Sequence, residues 1–148
     1  MIDEELKKTL EQHLSWLADP KSGKRADLRN TILTNADLRN TILIDANLQG
    51  ANLQNTNLRN ANLTGANLTD TSLIGADLIG ADLIGANLTD TSLIGADLID
   101  ADLIGADLID ADLRNANLRN ANLTNTNLTG ANLTDADLRN TILIDADH

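Results

Sequence analysis

The sequence predicts an all-β solenoid of square section, about six 20-residue coils long, behind a short helical cap. Three observations predict it. Leucine recurs at every fifth position from Leu28 to Leu143, 24 times without a miss. Two residues after each of these leucines stands Gly, Asn or Asp, the residue types that best tolerate a positive φ. Longer copies repeat at multiples of twenty: ANLTDTSLIGADLI at Ala66–Ile79 and Ala86–Ile99, ADLRNTILIDA at Ala36–Ala46 and Ala136–Ala146.

A five-residue step is incompatible with either regular element. It would wind the leucines around every face of a helix, and it would send successive leucines to opposite faces of a strand. A corner in each pentad removes the conflict, because a β-turn with a left-handed third residue lets every Leu return to one axis. Four such corners per circuit bring the 20-residue copies into stack. Leu then fills the interior with the small Ala or Thr two residues before it, and the other three positions point outward. Six coils at the ~4.8 Å spacing of paired strands make a rod roughly 29 Å long. Its handedness is expected to be right-handed, as in nearly all parallel crossovers.

The chain divides into residues 1–25, a cap helix and turn, and residues 26–148, the repeat. Residues 3–18 read as the helix, with Asp3 as N-cap, Glu4 and Glu5 favourable in the first turn, and Leu6, Leu10, Leu14 and Leu17 on one face. Pro20 ends it, and DPKSGKR leads into the first coil. A solenoid needs such a lid over its terminal Leu ring. The other end shows none: Leu128, Leu133, Leu138 and Leu143 are expected to form an open ring that pairs end to end with a second copy.

A(D/N)LXX in tandem over residues 26–148 resembles the pentapeptide repeat family, and His13–Leu28, HLSWLADPKSGKRADL, resembles the N-terminal caps of its cyanobacterial members. The resemblance implies a right-handed quadrilateral β-helix. It also implies one candidate activity, since some members mimic double-stranded DNA and bind gyrase. Those mimics carry a C-terminal helix that pairs the subunits, and some carry loops that interrupt the rod. This sequence has no such helix, and its register is unbroken.

Composition narrows the chemistry. There is no Cys, which removes disulfides, thiolate metal sites and cysteine nucleophiles; Phe and Tyr are also absent, and Trp16 is the single aromatic of its kind. No GxGxxG, P-loop, HExxH or EF-hand pattern occurs. His13 reads as a partly buried cap residue and His148 is the last residue, so no base pairs with any of the four serines. No enzyme, cofactor or metal site is expected. Calcium needs six to eight converging oxygens, which ladders such as Asp77–Asp97 and Asp82–Asp102 do not supply. With no signal peptide or membrane span in the pattern, a cytoplasmic protein is expected.

The net charge is −11, and residues 1–25 contribute nothing to it, because five acids there cancel five bases. The repeat thus holds 17 Asp against six Arg. Such a surface repels nucleic acid and acidic membranes, so a partner selected by charge is basic. Between Arg59 and Arg114 no base occurs, while ten Asp and seven Ile crowd the same interval. Asp77, Ile79, Asp82, Ile84, Asp97, Ile99, Asp102 and Ile104 form the candidate interaction belt, with Arg39, Arg59, Arg119 and Arg139 above and below. Contiguous apolar residues rimmed by charge mark partner sites; duplication of one pentad would also produce such a belt without any binding role. The expected function is therefore a non-catalytic scaffold or protein-binding module of unknown partner, with DNA mimicry as the alternative.

Overall fold

The computed structural model describes residues 4–147. The one helix among them, α1, spans Glu4–Ala18; the expected N-cap Asp3 lies outside the described residues. The face that α1 buries overlaps the expected one but is rotated toward His13. Leu6 and His13 are buried, Leu10 packs partly against the same core, and Leu14 is 47% exposed. Leu17 is half-buried, and His13, not Leu14, is the residue turned under the helix.

After Ala18 the chain folds tightly back. The Asp19 N–H donates to the Ser15 carbonyl, the Ser22 N–H to the Asp19 carbonyl, and the Lys24 N–H to the Gln12 carbonyl. Gly23 is pressed against the backbone of Gln12 and Trp16, a space that no Cβ could share. This close approach explains the glycine better than any turn requirement.

From residue 26 onward the backbone repeats as the leucine spacing predicts. In each complete turn the Leu carbonyl accepts from the N–H three residues on, as in Leu33 to Ala36 at 3.0 Å. All 24 residues that follow Leu by two have positive φ, from 52° at Asp145 to 72° at Gly130. Twenty-one β-bridges join the circuits; every one is parallel and every one links residues twenty apart, Asp27 to Asn47 through Asn127 to Asp147. The bridges are isolated, because a corner every five residues leaves no run long enough for a continuous strand.

Each pentad with a circuit on both sides donates three backbone bonds to its neighbours. Around Leu83, the Leu83 N–H donates to the Asp102 carbonyl at 2.7 Å and the Gly85 N–H to Ile104 at 2.9 Å. The Asp82 N–H donates back to Ala61 at 2.9 Å. The interior is leucine and alanine: Leu38 through Leu118 are fully buried at every fifth position. Thr56, Thr71, Thr91 and Thr126 are buried too, and each hydroxyl donates to a Leu carbonyl of the preceding circuit, so no donor is left dry.

Cover over the last leucines fades toward residue 147, though less steeply than expected. Leu128 is covered, its N–H donating to the Asp147 carbonyl. Leu133 is partly buried, while Leu138 and Leu143 are 36% and 47% exposed beside Ile144 at 62%.

Candidate interaction surface

The 20-residue register sorts the outward side chains into four faces. Face 1 holds the pentads of Leu28, Leu48 and their successors; faces 2, 3 and 4 follow with Leu33, Leu38 and Leu43. The candidate belt assembles on faces 3 and 4. Asp77 bridges Asp97 and Asp82 bridges Asp102, with Ile79, Ile99, Ile84 and Ile104 stacked beside them. The isoleucines are less open than the sequence suggests: only Ile84 is exposed, and the other three are half-buried between neighbouring circuits.

The aspartates of the belt are not free ladders. Asp77, Asp82, Asp97 and Asp102 each turn one oxygen back to accept the N–H two residues on, at 3.1 to 3.3 Å. The same bond recurs throughout: all 19 Asp and Asn residues that directly precede a repeat Leu accept the N–H of the residue that follows it. This Asx turn satisfies the one backbone donor of the pentad that points to solvent.

Carboxylate and amide make this bond equally well, so the choice of Asp over Asn at that position is a choice of charge, not of fold. Nine of the 19 are Asp. Where Arg follows, the second oxygen of the Asp grips it: Asp37–Arg39 at 2.6 Å, Asp112–Arg114 at 2.7 Å and Asp137–Arg139 at 2.5 Å. The hydrogen-bonded guanidinium holds the Asp37 and Asp137 carboxyls at about 2. Arg59 reaches across a circuit to Asp77 at 3.2 Å, which partly neutralises the lower edge of the belt.

Counting by face shows what the belt misses. Face 3 balances five Asp with four Arg, and face 2 has Asp112 and Asp135 against Arg114. Face 4 carries Asp45, Asp82, Asp102 and Asp145 with no base. Face 1 carries Asp27, Asp70, Asp90, Asp107, Asp110 and Asp147 with only Arg29, itself paired to Asp27 at 2.6 Å. Two adjacent faces, 4 and 1, thus hold nine of the eleven net negative charges.

On the corner leading out of face 1, Asp70, Asp90 and Asp110 stack in consecutive circuits. Corner side chains lean toward the next circuit, as Asp110 does toward Gly130. These three are legible in the sequence as Asp at the positive-φ position of three pentads twenty apart.

Nothing else competes as a site. Among the described residues no group of three or more His, Asp or Glu is placed to hold a metal ion. No helix among them is long and apolar enough to cross a membrane. An open groove of about 450 Å³ lies between α1 and the first circuit, with Lys8, Gln12, Lys24 and Asp27 in its walls.

Comparison with known proteins agrees with the geometry. The family described as pentapeptide repeats matches at residues 24–60, 51–90, 72–108, 81–120 and 106–145. No curated protein matches. Among solved structures, a pentapeptide repeat protein of the cyanobacterium Nostoc is 37% identical, covering 69% of this chain and 80% of that one with a TM-score of 0.56. HetL, a pentapeptide repeat protein involved in heterocyst differentiation regulation in Nostoc, is 36% identical over 82% of this chain with a TM-score of 0.41; the match spans 63% of HetL. QnrB1, a plasmid-mediated fluoroquinolone resistance protein, shares the fold at a TM-score of 0.60 and 19% identity, covering 80% of this chain and 67% of that one. A leucine every fifth residue, a left-handed corner after each and parallel bridges at a constant offset of twenty place the chain in the pentapeptide repeat family.

Proposed function

We propose that this protein is a non-catalytic repeat scaffold that binds a basic protein partner through faces 4 and 1. In this reading the rod is a right-handed quadrilateral β-helix of six coils, and α1 is the lid of its first coil. The observation that carries the proposal is the segregation of charge. The Asx turn accepts Asn as readily as Asp, so the fold does not require charge, yet most of the net charge gathers on two adjoining faces. A flat, rigid surface of one sign attracts an oppositely charged partner and speeds its encounter in a salt-dependent way.

The test compares the wild type with a variant bearing Asn at Asp70, Asp82, Asp90 and Asp102. Because the Asx bonds at Asp82 and Asp102 survive the change, and Asn also takes positive φ at the corners, stability is expected to shift by less than about 1 kcal/mol. Basic proteins captured from a cell lysate by the wild type should be lost by the variant. Capture unchanged by the substitutions overturns the proposal.

DNA mimicry is favoured by one further number. Eleven net charges over roughly 29 Å of rod amount to one per ~2.6 Å, close to the one per ~1.7 Å of duplex DNA. The rod is shorter than one DNA turn of ~34 Å, so mimicry also calls for two copies joined end to end through Leu138, Leu143 and Ile144. Supercoiling by gyrase, titrated with the protein, tests the mimic. Inhibition at micromolar concentration that weakens in the Asn variant supports it, and absence of inhibition removes it.

Sedimentation tests the end-to-end pair separately. A dimer that Leu143→Asp converts to monomer is the expected result, and a wild-type monomer at high concentration excludes the pair.

A further inference from the structure

His13 is the residue with the least conventional surroundings in the molecule. It is fully buried beneath α1, against the start of the repeat. Its Nδ1 accepts a hydrogen bond from the Ala26 N–H at 3.1 Å, which fixes the ring as the neutral tautomer with its proton on Nε2. That Nε2 is the only buried side-chain polar atom among the described residues without a hydrogen-bond partner. The Ile44 backbone lies near the ring, short of hydrogen-bond geometry. Trp16 stacks on it with centroids 5.6 Å apart and planes 14° from parallel. Two charged groups face the ring: Arg25 from the connecting segment and Asp45 from the first circuit, whose carbonyl accepts from Arg25 Nε.

A second proton has only one place to go. It must enter on Nδ1, where it meets the Ala26 N–H donor and destroys the one hydrogen bond the ring makes. The imidazolium would then be buried, a cost that the nearby Ile44 carbonyl and Asp45 offset only in part and that Arg25 increases. A buried charge without a full set of partners is strongly unfavourable. The ring can escape only by lifting α1, whose hold is otherwise modest: Leu6 buried, Leu10 partly so, and a few backbone bonds from residues 19–25.

We propose that His13 is a proton-sensitive latch, which releases α1 from the first circuit on acidification and leaves the repeat folded. The separation of the two parts follows from composition. His13 is the only histidine in residues 4–147 and the chain has no Cys, and imidazole is the ordinary side chain that titrates between about pH 5 and 8. Among the described residues the bonds between circuits are backbone to backbone or involve hydroxyls, side-chain amides, guanidinium groups and carboxylates, and no imidazole joins them, so the coils have no corresponding trigger. Release uncovers the first leucine ring, Leu28, Leu33, Leu38 and Leu43, which is buried with α1 in place.

The direction can be checked independently. Burial lowers the imidazole pKa from its ordinary value, so between the folded and unfolded values the released state binds more protons. Docking is therefore complete above about 6.5 and weakens as pH falls, by at most about tenfold in the opening constant per pH unit.

Hydrogen exchange of the wild-type protein at about pH 7.5 and about pH 5, corrected for intrinsic rates, tests the latch across this window. The expected result is a rise in opening of α1 at the lower pH, at most about thirtyfold over this window, with unchanged protection in the coils around Leu68 and Leu88. Fluorescence of Trp16, the single tryptophan, should change with the same midpoint. His13→Gln, which can accept from Ala26 without titrating, should abolish the pH dependence. Loss of protection in α1 and the coils together, or α1 protection equal at both pH values, overturns the proposal. So does an unaltered pH dependence in His13→Gln. Should that variant fail to dock α1 at all, NMR titration of the wild-type imidazole decides. A pKa below about 6.5 supports the latch, and one at or above it overturns the latch.

Discussion

Replacing Leu83 by Asp is expected to unfold the central coils, with a loss of at least about 5 kcal/mol. Truncating a buried leucine alone costs roughly 2–5 kcal/mol through lost transfer energy and the cavity left behind. Leu83 is fully buried, with its N–H already committed to Asp102, so a carboxylate there has no partner and must be buried charged or protonated. Each circuit contacts only the one before and the one after, so a failure at Leu83 interrupts the stack and leaves two fragments, each with a newly open end. Leu138→Asp is the matched control. Its side chain is 36% exposed at the open end, and the carboxylate can turn to water. For the monomer, a cost on the order of 1 kcal/mol is expected there. Urea denaturation followed by far-ultraviolet circular dichroism reads both variants. Equal midpoints for Leu83→Asp and the wild type would show that the leucines do not point inward.

The contrast between these two leucines also shows which parts of the molecule were legible in the sequence. The pentad was legible because it obeys steric rules that hold residue by residue. A positive φ at a fixed position selects Gly, Asn or Asp, and all 24 such positions took the left-handed conformation. The circuit of twenty was legible because duplication preserved whole coils, and all 21 bridges obey it. The buried face of α1 was legible only in part. Counting leucines at helical spacing placed Leu14 inside, whereas the connection through Ser22, Gly23 and Lys24 docks the helix by its Gln12–Trp16 side, turning His13 under and Leu14 out. That choice is tertiary, and periodicity carries no trace of it.

The interaction surface was legible in half. Sorting the residue after Leu by twenty found the Ile and Arg ladders, but the charge depends equally on the residue before Leu and on the corner. The pentad divides its labour accordingly. Leu and the Ala or Thr before it fill the axis, the corner residue sets the turn, and the Asx position closes the remaining donor. Only the residue after Leu is free of structural duty. Since Asp and Asn are interchangeable at the Asx position and Gly, Asn and Asp at the corner, charge can be rewritten along any face without disturbing the backbone. A repeat of this kind separates the residues that specify the fold from those that specify the partner, and for that reason the fold could be read from the sequence and the partner could not.

Gly23→Ala is expected to detach α1 while sparing the coils. A Cβ at Gly23 would fall within the backbone of Gln12 and Trp16, and no change of rotamer relieves a clash with main chain. Its effect differs from that of an alanine at Gly85, where a Cβ meets nothing and the cost is only the left-handed φ of 62°, roughly 1–2 kcal/mol. At Gly23 the strain exceeds what local adjustment absorbs, so it grows until the helix lifts and then stops growing. The loss therefore saturates at the free energy of docking α1. Near-complete loss of exchange protection in residues 4–18 is expected, together with a red shift of Trp16 emission and a coil transition displaced only slightly. A variant that keeps α1 protected would show that the tight return at Ser22–Lys24 can open without releasing the helix. Detachment by Gly23→Ala at neutral pH should also reproduce the state that protonation of His13 produces in the wild type. If the two states differ in Trp16 emission or in α1 exchange, the helix leaves the rod by more than one route.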